Sequence, residues 1–169
     1  MGLFDFFRKR DTETTVTPPV SDVLLQALLN GETITREKAL TLPAVSGAVD
    51  FIANCVACMP VKLYKYKQGK VTEIEDDPRV KMLNGDTQDT LDGWQLKKAM
   101  VEDYLLGKGG YAYVRKKRND VTGIFYVAER YITIMKTYEP IHKKYQILVE
   151  GGTYEPYEFI KLLRNTKDG

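Results

Sequence analysis

Two prolines, Pro43 and Pro60, bracket the stretch that most restricts what this chain can fold into. Between them Val45, Val49, Ile52, Val56 and Met59 recur at spacings of three and four, the period of one face of an α-helix. Pro43 presets the backbone of a first helical turn, where its missing N–H is no loss, and Pro60 cannot continue the run. A helix is therefore predicted over residues 44–59. Asp50 is its only charged residue, so it is expected to be buried against a sheet or a neighbouring chain.

The rest of the chain must supply that cover. Residues 61–67 and 70–74 are rich in aromatic and β-branched side chains and flank Gln68-Gly69, which predicts a hairpin. A short helical turn is expected around residues 79–83, then a polar loop over 84–90. Over residues 92–106, Trp94, Met100, Val101, Tyr104 and Leu105 fall on one broad arc and Gln95, Lys98 and Glu102 on another, which predicts a second helix with a buried face. Gly107 and Gly109 are expected to stop it by adopting left-handed backbone. Residues 111–117, 121–127, 131–136, 145–149 and 157–163 then alternate or run apolar between short polar connections, the pattern of antiparallel strands. The expected class is α+β: two buried helices packed on antiparallel hairpins and a meander.

Upstream, the apolar cluster Leu3, Phe4, Phe6 and Phe7 precedes Arg8-Lys9-Arg10 and a Thr- and Pro-bearing stretch. Residues 1–21 are expected to form a flexible arm and 22–169 one α+β domain, opened by an amphipathic helix over 22–29 that Asn30-Gly31 would end. A turn-like ending at Lys167-Asp168-Gly169 suggests that the domain is truncated at its C-terminus.

Charge narrows the function. Lysine and arginine total 25 against 23 acidic residues, a formal +2, far from the balance of a dedicated nucleic-acid binder. No apolar run is long enough to span a bilayer, and no membrane partner is expected.

Catalytic chemistry finds few residues to work with. His142 is the sole histidine, and neither Ser21 nor Ser46 sits in a strand-turn-helix elbow. Cys55 and Cys58 lie at the C-terminal end of the apolar helix, where no helix dipole lowers a thiol pKa, and two further soft ligands are lacking. They are read as core or interface thiols. Glu73, Glu75, Asp76 and Asp77 form an acidic run of the kind found in solvated loops. No catalytic residue, cofactor or metal is expected.

Two features point towards nucleic acid. Arg115, Lys116, Lys117 and Arg118 make a basic hairpin tip that is a candidate phosphate contact. Gly110-Tyr111-Ala112-Tyr113-Val114 is similar to the middle of the RNA-recognition-motif strand, whose aromatics stack bases, although Gly109 and Lys116 replace the basic and aromatic residues at its ends. A single-strand-binding module of that kind is the alternative reading.

Taken together, the order of segments resembles the portal proteins of tailed bacteriophages. The opening Met1-Gly2-Leu3-Phe4-Asp5, the helix running into Met59-Pro60-Val61-Lys62-Leu63-Tyr64, and Asp77-Pro78 followed by Met82-Leu83-Asn84 each have a counterpart there. So does the stretch from Trp94 to Leu106 continuing through Gly107 into Gly110-Tyr111-Ala112-Tyr113-Val114. Departures are Asp77 where a histidine is common, Gly85-Asp86 in place of Pro-Asn, and the extra glycine of Lys108-Gly109-Gly110. The resemblance implies a structural, non-enzymatic subunit of the homo-oligomeric ring at the capsid vertex, through which double-stranded DNA is packaged and ejected. It implies the outer, wing-like part of that subunit. The implied partners are further copies of the chain, the major capsid protein, the terminase motor and the head-tail connector proteins. The implied location is the virion, with assembly in the host cytoplasm.

Overall fold

The computed structural model describes residues 35–136 and 144–164. The N-terminal arm, the helix expected over 22–29, Ser21 and His142 lie outside the described residues. Helix α1 (Arg36–Leu40) is N-capped by Thr35 and leads into α2 (Pro43–Cys58). The hairpin β1 (Tyr64–Lys67) and β2 (Lys70–Glu73) follows, then α3 (Pro78–Asn84) and α4 (Gly93–Leu106). The second half comprises β3 (Gly109–Lys117), β4 (Asp120–Val127), β5 (Ile132–Lys136), β6 (Tyr145–Val149), β7 (Gly152–Tyr154) and β8 (Phe159–Leu163). Helices and antiparallel strands are thus segregated along the chain, and the class is α+β.

Among the described residues these strands form three small sheets, in strand orders β1-β2, β4-β3-β8 and β5-β6-β7. The middle one organises the others. Its central strand β3 begins with four consecutive buried residues, Gly109 to Ala112, because both of its faces are covered. On one side Ala112 and Ile124 meet Leu96 and Met100 of α4. On the other, Tyr111 and Phe159 pack with Ile147 of the third sheet. The layers are therefore helix, sheet, sheet. Tyr113, Tyr154 and Phe159 stand edge to face with one another across the two sheets, their ring centroids 5.4 to 5.8 Å apart. Such pairs add about 0.5–1.5 kcal/mol each beyond area burial.

Local chemistry explains the boundaries. Gln68 and Gly69 take φ of 50° and 77°, the left-handed pair of a two-residue hairpin turn, and Glu150 and Gly151 repeat the device between β6 and β7. Asp92 accepts from the Gln95 amide while the Gln95 side chain accepts from the Asp92 amide, a reciprocal capping box that starts α4.

Several sequence expectations need correction. Helix α2 buries only Ala53 and Ala57, and it lies against α4 rather than a sheet. Its larger residues Phe51 and Ile52, and Met59 just after it, are exposed. In α4 the inward face is Leu96, Met100, Val101 and Asp103, whereas Trp94 and Tyr104 lie partly open. Hydrophobic periodicity identified the helices but not which stripe turns inward. Gly107 and Gly109 are not left-handed either; Gly107 has φ of −129° and Gly109 is already in β3. Glycine serves here for close approach. A Cβ on Gly110 would collide with the backbone carbonyl of Met100, so helix and strand touch main chain to main chain. Helix α1 and strand β7 were not anticipated at all.

The loop over residues 84–92 does more than connect. Its Thr87 carbonyl accepts from Ile124 N–H at 2.9 Å, and the Asp89 carboxylate accepts from Tyr126 N–H at 2.9 Å. These bonds cover the outer edge of β4, which would otherwise offer unpaired donors to other chains.

Gly110→Ala is expected to destabilise the protein by about 3 kcal/mol, an overpacking cost, and so to lower Tm by roughly 6–12 °C in a thermal melt. Gly47→Ala, where an added methyl meets nothing within 4 Å on a helix, should leave Tm unchanged or raise it.

Candidate functional site

Buried titratable groups are few among the described residues, and the most enclosed is Asp103. Its side chain is 1% exposed. The carboxylate accepts from Arg36 Nη1 at 2.5 Å, from the Tyr126 hydroxyl at 2.6 Å and from the backbone N–H of Glu129 at 3.3 Å. Burial chiefly, and the hydrogen bond to Asp103 next, push the Tyr126 phenol well above its ordinary range, so it stays a neutral donor. Four separate pieces of chain meet at one anion: α1, α4, β4 and the turn after it. Every oxygen is satisfied, and no vacant position faces a cleft. This geometry fastens rather than catalyses.

The acidic run after the hairpin is likewise structural. Asp77 caps α3 by accepting from the Arg79 amide at 2.9 Å and holds the Arg79 guanidinium through both oxygens at 2.8 and 2.7 Å. Those side-chain bonds, then the backbone one, lower its carboxyl to about 2. Asp76 pairs with Lys81, and Glu73 with Lys62.

The basic tip is partly committed to its own hairpin. A register shift between Arg115 and Lys116 places Arg115 opposite Gly123 and Lys116 opposite Val121, a bulge that turns the tip. The Arg115 guanidinium lies 4.7 Å from the Phe125 ring centroid and hydrogen-bonds Thr122, while the Lys116 ammonium sits 5.6 Å from the Tyr157 ring. Lys117 and Arg118 have no ion pair or ring contact among the described residues, and both are exposed. Sequence reasoning treated the four as equivalent. The aromatic residues Phe125 and Tyr157, distant in sequence, divide them.

The stacking platform of the RNA-binding alternative is not available. Tyr111 is 2% exposed and packs with Ile147, and Tyr113 is enclosed by Tyr154 and Phe159. Bases cannot reach faces that the second sheet covers.

Cys55 and Cys58 are exposed, not core residues. With Ala44, Ala48 and Phe51 they form one open stripe of α2, and Phe51 is 70% exposed. Among the described residues no group of three or more His, Cys, Asp or Glu side chains is placed to hold a metal ion. No described helix is long and apolar enough to cross a membrane.

Satisfied polar groups and an open apolar stripe on α2 characterise this α+β domain. Residues 43–168 match the model of the phage portal protein family, and the chain belongs to that family. No curated protein matches the chain. The portal family is one of structural proteins of the phage capsid, which gives the chain a portal-protein role.

Asp103→Asn should cost about 2–3 kcal/mol in a denaturant melt, because the amide cannot serve three donors and adds a donor of its own. The Asp77 contribution runs with pH as follows from its lowered value. Its cap is complete above the ordinary carboxyl pKa near 4, and is lost as pH falls towards 2. A carboxyl-resolved NMR titration should place the Asp77 midpoint near 2, and Arg79→Met should move it upwards.

Proposed function

We propose that this chain is the outer, wing-like part, residues 22–169, of a subunit of the portal ring, the vertex channel for DNA packaging and ejection. The observation that carries the reading is the family match over residues 43–168. The open stripe of α2 supports it, because an exposed apolar helix face rimmed by polar residues is the usual mark of a surface that another chain covers. Copies arranged head to tail would each present that stripe to a neighbour, and a rotation that closes gives a ring.

In this reading no residue turns over a substrate. The terminase motor supplies the work of packaging, while the major capsid protein and the head-tail connector proteins meet the ring from outside and below. Assembly takes place in the host cytoplasm and ends in the virion. A formal charge of only +2 suits a conduit, since each neutralised phosphate adds salt-sensitive affinity that would brake a moving duplex. Any phosphate contact at the basic tip falls to Lys117 and Arg118, the two members with no partner of their own among the described residues.

Mass photometry of the full-length protein is expected to show closed many-fold rings. Phe51→Asp should shift the population to monomers while the thermal melt of the monomer stays within about 0.5 kcal/mol of wild type, as for an exposed site. Rings that survive this change, or monomers under every condition in the wild type, would sink the proposal.

A further inference from the structure

Beside the α2 stripe lies a separate apolar groove that the described residues leave uncovered. Ile52 and Val56 of α2, Val101, Tyr104 and Leu105 of α4, and Leu162 of β8 line a space of about 440 Å³. The one ammonium at its rim, Lys161, turns to the hydroxyl of Tyr145, so the groove presents no unpaired charge. It calls for an apolar occupant.

The chain carries one nearby. Residues 22–29 contain Val23, Leu24, Leu25, Ala27, Leu28 and Leu29, so that an amphipathic helix there, polar only along the line of Asp22 and Gln26, would need cover for its apolar face. The path to the groove is short. The described chain begins at Thr35, and Arg36 is held on Asp103, the residue directly before Tyr104 of the groove wall. Leu29 and Thr35 are six positions apart in the chain, enough to reach up to roughly 20 Å, about twice the width of a helix. A segment tethered so closely competes at millimolar effective concentration, far above any second copy at micromolar protein.

We propose that residues 22–29 dock in this groove of their own chain, closing the open end of the helix layer against β8. Two apolar surfaces that lack cover are thereby matched, and the Arg36–Asp103 pair acts as the hinge post that sets where the arm turns. The occupant is the same molecule, not a neighbouring subunit. The lateral stripe through Phe51 remains free on a different side of α2.

The test uses the full chain with Cys55→Ser and Cys58→Ser, carrying Leu28→Cys and Leu162→Cys, treated with a short bis-maleimide at low micromolar concentration. Denaturing electrophoresis and mass spectrometry should find most molecules linked within one chain. Linkage only between chains would place the segment on another copy and overturn the proposal, as would absence of linkage. Independently, Leu24→Asp with Leu28→Asp in the full chain should keep the far-ultraviolet circular dichroism of the fold and raise anilinonaphthalene sulfonate fluorescence several-fold, since the dye reports newly opened apolar surface. An unchanged dye signal in that folded variant would also overturn it.

Discussion

Over its first four residues strand β3 has no solvent face, and the architecture follows from meeting that demand on both sides. A strand buried twice needs one partner layer per face, and α4 and the β5-β6-β7 sheet are those layers. The two are not alike. Towards the helix the contact is small and close, Ala112 over Met100 with Gly110 admitting main chain to main chain. Towards the second sheet it is large and aromatic, with Tyr111, Tyr113 and Phe159 filling the gap. Alternation along one strand thus sorts small residues to one layer and large ones to the other.

Where apolar packing ends, the polar network around Asp103 takes over the task of fixing direction. A buried carboxylate that lost one of its donors would cost several kcal/mol, so it tolerates one arrangement of α1, α4, β4 and the following turn and penalises others. Arg36 is the only link in this set that comes from the chain before α2. Short α1, which buries no residue of its own, owes its position to that guanidinium more than to its sequence.

Much of this was legible beforehand, and the misses share a cause. Periodicity and turn chemistry located α2, α4, the Gln68-Gly69 turn and most strands, because those signals are local. They could not say that Ala53 and Ala57, rather than Ile52 and Met59, face inward, since that depends on how closely α4 approaches. They could not show that Gly110 serves for contact with a distant backbone. They left an exposed Tyr111 and Tyr113 platform open as an alternative, because alternation reveals that two residues share a face, not what lies upon it. Asp103 left a signal of a kind: an acidic residue on the arc that Leu96 and Met100 share. The residues that hold it, Arg36 and Tyr126, lie too far along the chain for any local pattern to join them.

The pairing of β3 with β8 carries a consequence for how the protein is made. Gly109 pairs with Leu163 and Tyr113 with Phe159, so one edge of the central strand stays open until the ribosome has delivered β8. Meanwhile β5, β6 and β7 emerge between them as a local antiparallel meander able to form early. The nascent chain therefore passes through a stage in which its central strand has one ladder bonded and the other bare. Such a chain stands to gain from whatever shields that edge until the last strand arrives, and synthesis at high local density, with many copies growing side by side, is the circumstance in which the exposure would be most costly.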